Sequence, residues 1–254
     1  MPKRLPCRSG EGDAERNCLL RALPDRAYRR FRPALEDVRL VTGQVLYQPG
    51  HAISHVYFPE DAVVSVICVP DPATAIEVAM VGRDGFVGLP VLRDVPTTAV
   101  RYVVQVGGHA RRLRAGALRE AMRAHPDLRP PITRFGQALF DQVALCAGCN
   151  VGHSPRQRCA RWMLMLHDRV DGDEIPVTQE FLGYMLGMSR QTVSTVARTL
   201  QRDRLIDYAR GKVRIVRRAE LEKLACGCYR TVANRLRQLL GPVSGLALMA
   251  IAGG

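Results

Sequence analysis

The 254-residue chain carries 37 Lys and Arg against 24 Asp and Glu, a formal net charge of +13. With 47% hydrophobic and 24% charged residues it can bury a real core, which excludes a disordered, collagen-like or small disulfide-stapled protein. The basic surplus points to an anionic partner, most often nucleic acid. Residues 1–17 are polar and lack the apolar centre of a signal peptide, and the apolar tail 241–254 is too short and too rich in Gly and Pro to span a bilayer. The expectation is a cytoplasmic protein without membrane association, its eight Cys reduced.

Between about Leu35 and Leu113 short β-type runs (44–47, 55–58, 62–68, 76–81, 99–106) alternate with turn residues such as Pro49-Gly50 and Gly82-Arg83-Asp84-Gly85. That rhythm predicts an all-β sandwich, barrel or jelly roll. After Arg114 the pattern turns helical, with a short helix over 115–124 ended by His125-Pro126. Pro130-Pro131 opens a second helix that runs to about Cys149. Its apolar positions Ile132, Phe135, Leu139, Val143 and Cys146 step by three or four, the spacing of a dimerisation seam and equally of a helix packed on its own domain. Residues 155–168 read as a further helix, with Ala160, Trp162, Met163 and Leu166 available for packing.

The most specific pattern lies at 178–200. Thr178 is a good helix N-cap, and Leu182, Gly183, Leu186, Gly187, Met188, Val193 and Val196 fall at the spacings a helix-turn-helix needs. Gly183 permits close approach of two helices, Gly187 permits a left-handed turn residue, and the apolar positions fill the wedge between the helices. Ser189 is placed to cap the second helix. Arg190, Gln191, Ser194 and Thr195 would face the major groove, where Arg reads guanine, Gln reads adenine and Thr meets the thymine methyl. Thr178, Ser189, Thr192, Arg198, Arg210 and Lys212 are the candidate phosphate contacts, although Arg198 serves equally well as a solvated helix residue.

Two β-type runs, 205–208 and 213–216, flank Ala209-Arg210-Gly211-Lys212, a hairpin with a basic tip. Between Arg190 and Arg218 nine basic residues face two acidic ones, so more than half of the chain's surplus charge sits in this short stretch. A phosphate-facing surface requires such a concentration.

A β-rich half, a connecting helix and a winged helix in that order resemble the CRP/FNR family of bacterial transcription regulators. The strongest matches are Gly43-Gln44-Val45-Leu46-Tyr47-Gln48-Pro49-Gly50, Val56-Tyr57-Phe58, Gly85-Phe86-Val87-Gly88, Thr178-Gln179-Glu180 and Gly187-Met188-Ser189-Arg190-Gln191-Thr192-Val193. The resemblance implies an α+β protein: an N-terminal cyclic-nucleotide-binding-like β jelly roll, a long dimerisation helix and a C-terminal winged helix-turn-helix. Cyclic-AMP-binding members carry Gly-Glu and, some ten residues on, Arg-Ser. Here Gly88 is followed by Leu89 and the later segment reads Thr97-Thr98-Ala99-Val100, with Arg101 close by. Burying a cyclic phosphate without a cation is costly, which argues against cyclic AMP or cyclic GMP as effector.

Oxygen-sensing members bind an iron–sulfur cluster through clustered N-terminal Cys, whereas this N-terminus offers only Cys7 and Cys18. Cys146-x-x-Cys149 lies on a helix without a second pair and Cys226-Gly227-Cys228 stands apart, so packing is the expected role and neither metal nor cofactor is expected. The six His are scattered, and no HExxH, Gly-x-Ser-x-Gly or cupin-type metal set supports an enzyme; Glu77 and Asp84 are the carboxylates nearest the expected pocket.

The expected organisation is therefore an N-terminal segment (1–24), a sensor-like β domain (25–124), a linker and dimerisation helix (125–153), a winged helix (154–218) and a helical extension with tail (219–254). The expected protein is a homodimer bound to double-stranded DNA at a near-palindromic operator, with RNA polymerase and an unidentified small-molecule effector as further candidate partners. The alternative is a small-molecule or protein-interaction module whose winged helix binds protein or non-specific DNA. The sequence names no effector-binding residue.

Overall fold

The computed structural model describes residues 15–71 and 74–240. Cys7, the rest of the N-terminal 14 residues and the apolar tail from 241 lie outside them. Two short helices, α1 (Cys18–Arg21) and α2 (Asp25–Phe31), precede strands β1 (Glu36–Leu40), β2 (Val45–Tyr47), β3 (His55–Pro59), β4 (Val63–Asp71), β5 (Thr74–Val81), β6 (Arg101–Val106) and β7 (Gly108–Arg114). These strands form two antiparallel sheets, ordered β1-β7-β3 and β2-β6-β4-β5, so the β half is a sandwich rather than a closed barrel.

Between the sheets an aromatic row fills the core. Phe31 meets Phe58 edge-on, Phe58 stacks on Phe86, and Phe86 continues to Phe135 at 5.6 Å on the connecting helix. Strands β4 and β5 read as near-continuous apolar runs because both of their faces are covered. One face meets the sandwich core, while β5 also packs against the helices of the C-terminal half.

Helix α3 (Ala115–Ala124) leads into α4 (Arg129–Gly152), which has Pro in its first turn, and His153 and Ser154 join it to α5 (Pro155–His167). The start of α5 is well specified: the Ser154 hydroxyl accepts from Gln157 N–H, the Gln157 side chain accepts from the Ser154 backbone N–H, and Pro155 occupies the first turn. Ten of its thirteen residues are buried, so α5 is the central post of the C-terminal half. A third sheet, ordered β8-β10-β9, is built from β8 (Glu174–Pro176), β9 (Ile206–Ala209) and β10 (Lys212–Ile215) and flanks α6 (Gln179–Leu186) and α7 (Arg190–Arg202). Helices α8 (Arg218–Leu224) and α9 (Cys228–Leu240) close the described chain, α9 lying along α4 and α8 against α5.

Strands β1 and β7 are not among the runs that the sequence singles out. β7 is rich in Arg, and its polar side is exposed to ion pairs such as Arg112 with Glu36 (2.5 Å) and Arg111 with Glu60 (3.2 Å). Only Ala110 and Leu113 of β7 are buried, too few to reveal a strand by hydrophobic alternation.

Candidate nucleic-acid interface

The helix-turn-helix is held by short-range sterics. The Thr178 hydroxyl accepts from Phe181 N–H at 3.1 Å to start α6. Gly187 ends it in the left-handed region at φ 58, and Met188 N–H bonds back to Gly183 O at 2.9 Å. A side chain at Gly183 would place its Cβ 2.9 Å from the Met188 carbonyl, so the turn closes only over glycine. Leu182, Met185, Leu186, Val193, Val196 and Leu200 are buried, which fixes α7 against α6 and α5.

Ser189 caps α7, its hydroxyl accepting from Thr192 N–H at 3.1 Å and meeting the Thr192 hydroxyl at 2.9 Å. This leaves the helix's first N–H groups and the positive end of its dipole facing outward. Arg190, Gln191 and Thr195 are exposed beside them, and among the described residues the side chains of Arg190 and Gln191 have no hydrogen-bond partner. Ser194 differs: it is half-buried and donates to Gln179 Oε1 on α6 at 2.5 Å, so it braces the two helices. Arg198 is exposed and returns its Nε–H to Ser194 O at 3.4 Å. A shallow groove lined by Ser154, Arg156, Gln191, Thr192 and Thr195 runs between the start of α5 and α7.

The wing is a two-residue hairpin. Ala209 pairs with Lys212, and Arg210 and Gly211 both take positive φ (49 and 72), the geometry of a type I′ turn. Val177 N–H bonds to Gly211 O at 2.9 Å, which ties the tip to the residue preceding the α6 cap. Charge here is less concentrated than the sequence count suggests. Lys212 pairs with Glu174 (3.3 Å), Arg214 with Asp207 (2.8 Å), and Arg218 is turned inward onto Asp168 (2.6 Å). Arg190, Arg198, Arg204, Arg210 and Arg217 are exposed without an ion pair among the described residues, and Arg202 is exposed beside Asp203 at 3.7 Å.

Of the two readings that the α4 spacing leaves open, a dimer seam and a helix packed on its own domain, burial favours the second for the residues that carry the spacing. Ile132, Phe135, Leu139 and Cys146 are buried within the protomer and Val143 is partly so; Phe135, for example, packs on Phe86. The opposite side of α4 presents Thr133, Gln137, Phe140, Ala144, Ala147 and Val151 to solvent, with Phe140 65% and Val151 91% exposed. A helix apolar on two sides gives the same three-and-four spacing on each, so periodicity alone cannot choose between them.

Glu77 and Asp84 do not line an open pocket. Both are buried where the sandwich meets the C-terminal half. Trp162 Nε1 donates to Glu77 at 2.8 Å, Ser65 donates to its other oxygen at 2.5 Å, and burial raises the Glu77 carboxyl to about 7. Asp84 grips Arg169 through two bonds of 3.1 and 2.5 Å, with both side chains at most 3% exposed. Arg101, near the altered phosphate cassette, donates to Gln48 at 3.1 Å.

The cysteines read separately in the sequence also sort differently in space. Cys146 bonds to Glu77 O and meets Arg161, whereas Cys149 comes together with His153, Cys226 and Cys228. No spacing within either pair could announce this, because the two halves of the group are 77 residues apart.

Comparison with known proteins agrees with this architecture. Residues 157–224 match the Crp-like helix-turn-helix domain. A putative transcriptional regulator of the Crp/Fnr family from Eubacterium rectale superposes with TM-score 0.63 at 16% identity, covering 81% of this chain and 96% of its own. The c-di-GMP-responsive global regulator CLP of Xanthomonas campestris gives 0.61 at 18% identity, covering 76% of this chain and 99% of its own. A CRP-family transcriptional regulator from Thermus thermophilus gives 0.61 at 22%, covering 74% and 96%. No curated protein sequence matches the chain. No described helix is long and apolar enough to cross a membrane. Residues 157–224 are therefore similar to the Crp-like helix-turn-helix domain, and the described chain shares the fold of these CRP/FNR-family structures.

Proposed function

We propose that the protein is a homodimeric, sequence-specific DNA-binding regulator of transcription. The observation that carries this reading is the start of α7: Arg190, Gln191 and Thr195 are exposed on a helix end whose other side is locked into a core. Such an end enters the major groove, Arg190 and Gln191 at base edges and Thr195 at a methyl or edge. Ser189 and Thr192, together with the free N–H groups and the Arg210 tip, meet flanking phosphates. The Thr178 hydroxyl, like that of Ser189, only accepts in its cap and keeps its proton for a phosphate oxygen, and Ser194 acts by holding α7 in place through Gln179. Lys212 and Arg198 supply sequence-independent attraction.

Dimerisation supplies the second half-site. The exposed face of α4, with Phe140 and Val151 at its apolar positions, is the surface we assign to it. Two recognition helices then reach successive major grooves about 34 Å apart on a near-palindromic operator. In this division of labour residues 25–124 sense, 125–153 connect and 154–218 read DNA, while α8 and α9 pack on α5 and α4; effector and RNA polymerase contacts would reside on the first and third. Selection from a random duplex library followed by footprinting tests the reading. Two protected half-sites one helical turn apart are expected, and recovery of sequences without a shared motif would replace it with non-specific coating.

A further inference from the structure

Four side chains that DNA reading does not use converge where α4, α8 and α9 meet. Cys149 lies near the end of α4, and His153, four residues on, sits over the same face as its C-cap. Cys226 and Cys228 flank the tight turn between α8 and α9. One ligand atom from each lies within 4.8 Å of all the others. Cys149 Sγ is 3.4 Å from Cys226 Sγ, and Cys228 Sγ is 3.9 Å from His153 Nδ1. In a tetrahedral zinc site, metal–sulfur bonds of about 2.3 Å and metal–nitrogen bonds of about 2.0 Å set ligand atoms roughly 3.5–3.8 Å apart. The 3.4 and 3.9 Å separations lie close to that range, and the others are at most 4.8 Å.

The donor chemistry narrows the ion. Three sulfurs and one imidazole offer no oxygen, which disfavours calcium and magnesium and suits zinc, and four protein donors make a closed structural site rather than an open catalytic one.

A separate observation concerns charge. Arg158 and Arg161 of α5 are buried beside the group. Arg161 makes its hydrogen bonds to sulfur, Cys146 Sγ at 3.5 Å and Met165 Sδ at 3.3 Å, and the Nε of each guanidinium lacks a partner among the described residues. Both arginines interact electrostatically with Cys149 and Cys226. A zinc ion held by three thiolates and a neutral imidazole carries one net negative charge, the counter-charge a buried guanidinium requires.

We propose that Cys149, His153, Cys226 and Cys228 form a Cys3His site for a single zinc ion. Binding displaces three thiol protons to solvent and oxidises nothing. The ion ties the end of α4 to the α8–α9 turn. His153 directly precedes the Ser154 cap of α5, so the ion also fixes the junction through which the winged helix is attached.

The test uses the full chain, purified without chelator and without DNA, so its outcome is independent of the DNA-binding reading. Elemental analysis should find one zinc per chain. Exchange into Co2+ should give the intense visible bands of tetrahedral cobalt with near-ultraviolet thiolate charge transfer. Cys228→Ser should weaken zinc binding by more than about 100-fold. Cys146→Ser, a buried cysteine of the same helix outside the group, should leave stoichiometry unchanged. Substoichiometric metal, an octahedral cobalt spectrum, equal zinc loss in both variants, or a Cys149–Cys226 disulfide in the freshly isolated chain would overturn the proposal. The cobalt spectrum of the unsubstituted chain decides the matter even if Cys228→Ser fails to fold.

Discussion

The winged-helix half has two polar faces with opposite character. Toward solvent, the start of α7 holds Arg190 and Gln191 with no side-chain partner among the described residues. Toward the sandwich, polar groups are buried and partnered: Trp162 donates to Glu77, which Ser65 also meets, and Arg169 pairs with Asp84. The first face leaves its polar groups available to an outside partner, and the second joins the two halves through buried pairs. Buried polar networks of this kind are costly unless complete, so they fix one docking geometry rather than adding much stability.

Breaking the inner face should have the largest effect. Asp84→Ala leaves Arg169 buried and unpaired and is expected to cost about 3–5 kcal/mol, read from urea unfolding at neutral pH. A loss below about 1 kcal/mol would show that the pair does not secure the domain junction.

Glu77 gives a subtler break, because its sign depends on pH. Its folded pKa of about 7 lies above the ordinary 4.5, so the folded state holds the proton more tightly. Its contribution is therefore full below pH about 4.5 and is lost as pH rises through about 7, by up to about 3 kcal/mol. Glu77→Gln keeps the Trp162 acceptor and should remove that decline, making the variant relatively more stable at pH 8 than at pH 4.5. Parallel stability–pH curves for the two proteins would contradict the assignment.

Changes on the outer face should leave folding intact and alter only DNA binding. Lys212→Ala is the smallest: it should weaken all sequences alike and lower the slope of log affinity against log salt by about 1. Unequal losses across sequences would place Lys212 at a base edge.

The same contrast explains what the sequence made legible. The helix-turn-helix could be read because its constraints are local: Gly183, Gly187 and the Ser189 cap act within a few residues of one another. The sandwich is visible through β4 and β5, whose apolar runs report burial directly, but not through Arg-rich β7. The spacing along α4 leaves a dimer seam and internal packing equally open, because it does not say which side of the helix its own domain covers. Ser194 looks like a base contact by its position, although Gln179, fifteen residues away, claims its hydroxyl. The Cys149–His153–Cys226–Cys228 group is illegible for the same reason on a larger scale, since it exists only once α9 folds back along α4.

The central claim is that Arg190 reads sequence from an otherwise self-contained helix. Its most direct measurement compares wild type and Arg190→Ala on one selected operator and on variants substituted at each base pair, at fixed salt. The expected result is a loss of about 1–3 kcal/mol of discrimination at one base pair of each half-site, with the other positions and the melting temperature unchanged. An unaltered preference at every base pair would contradict it.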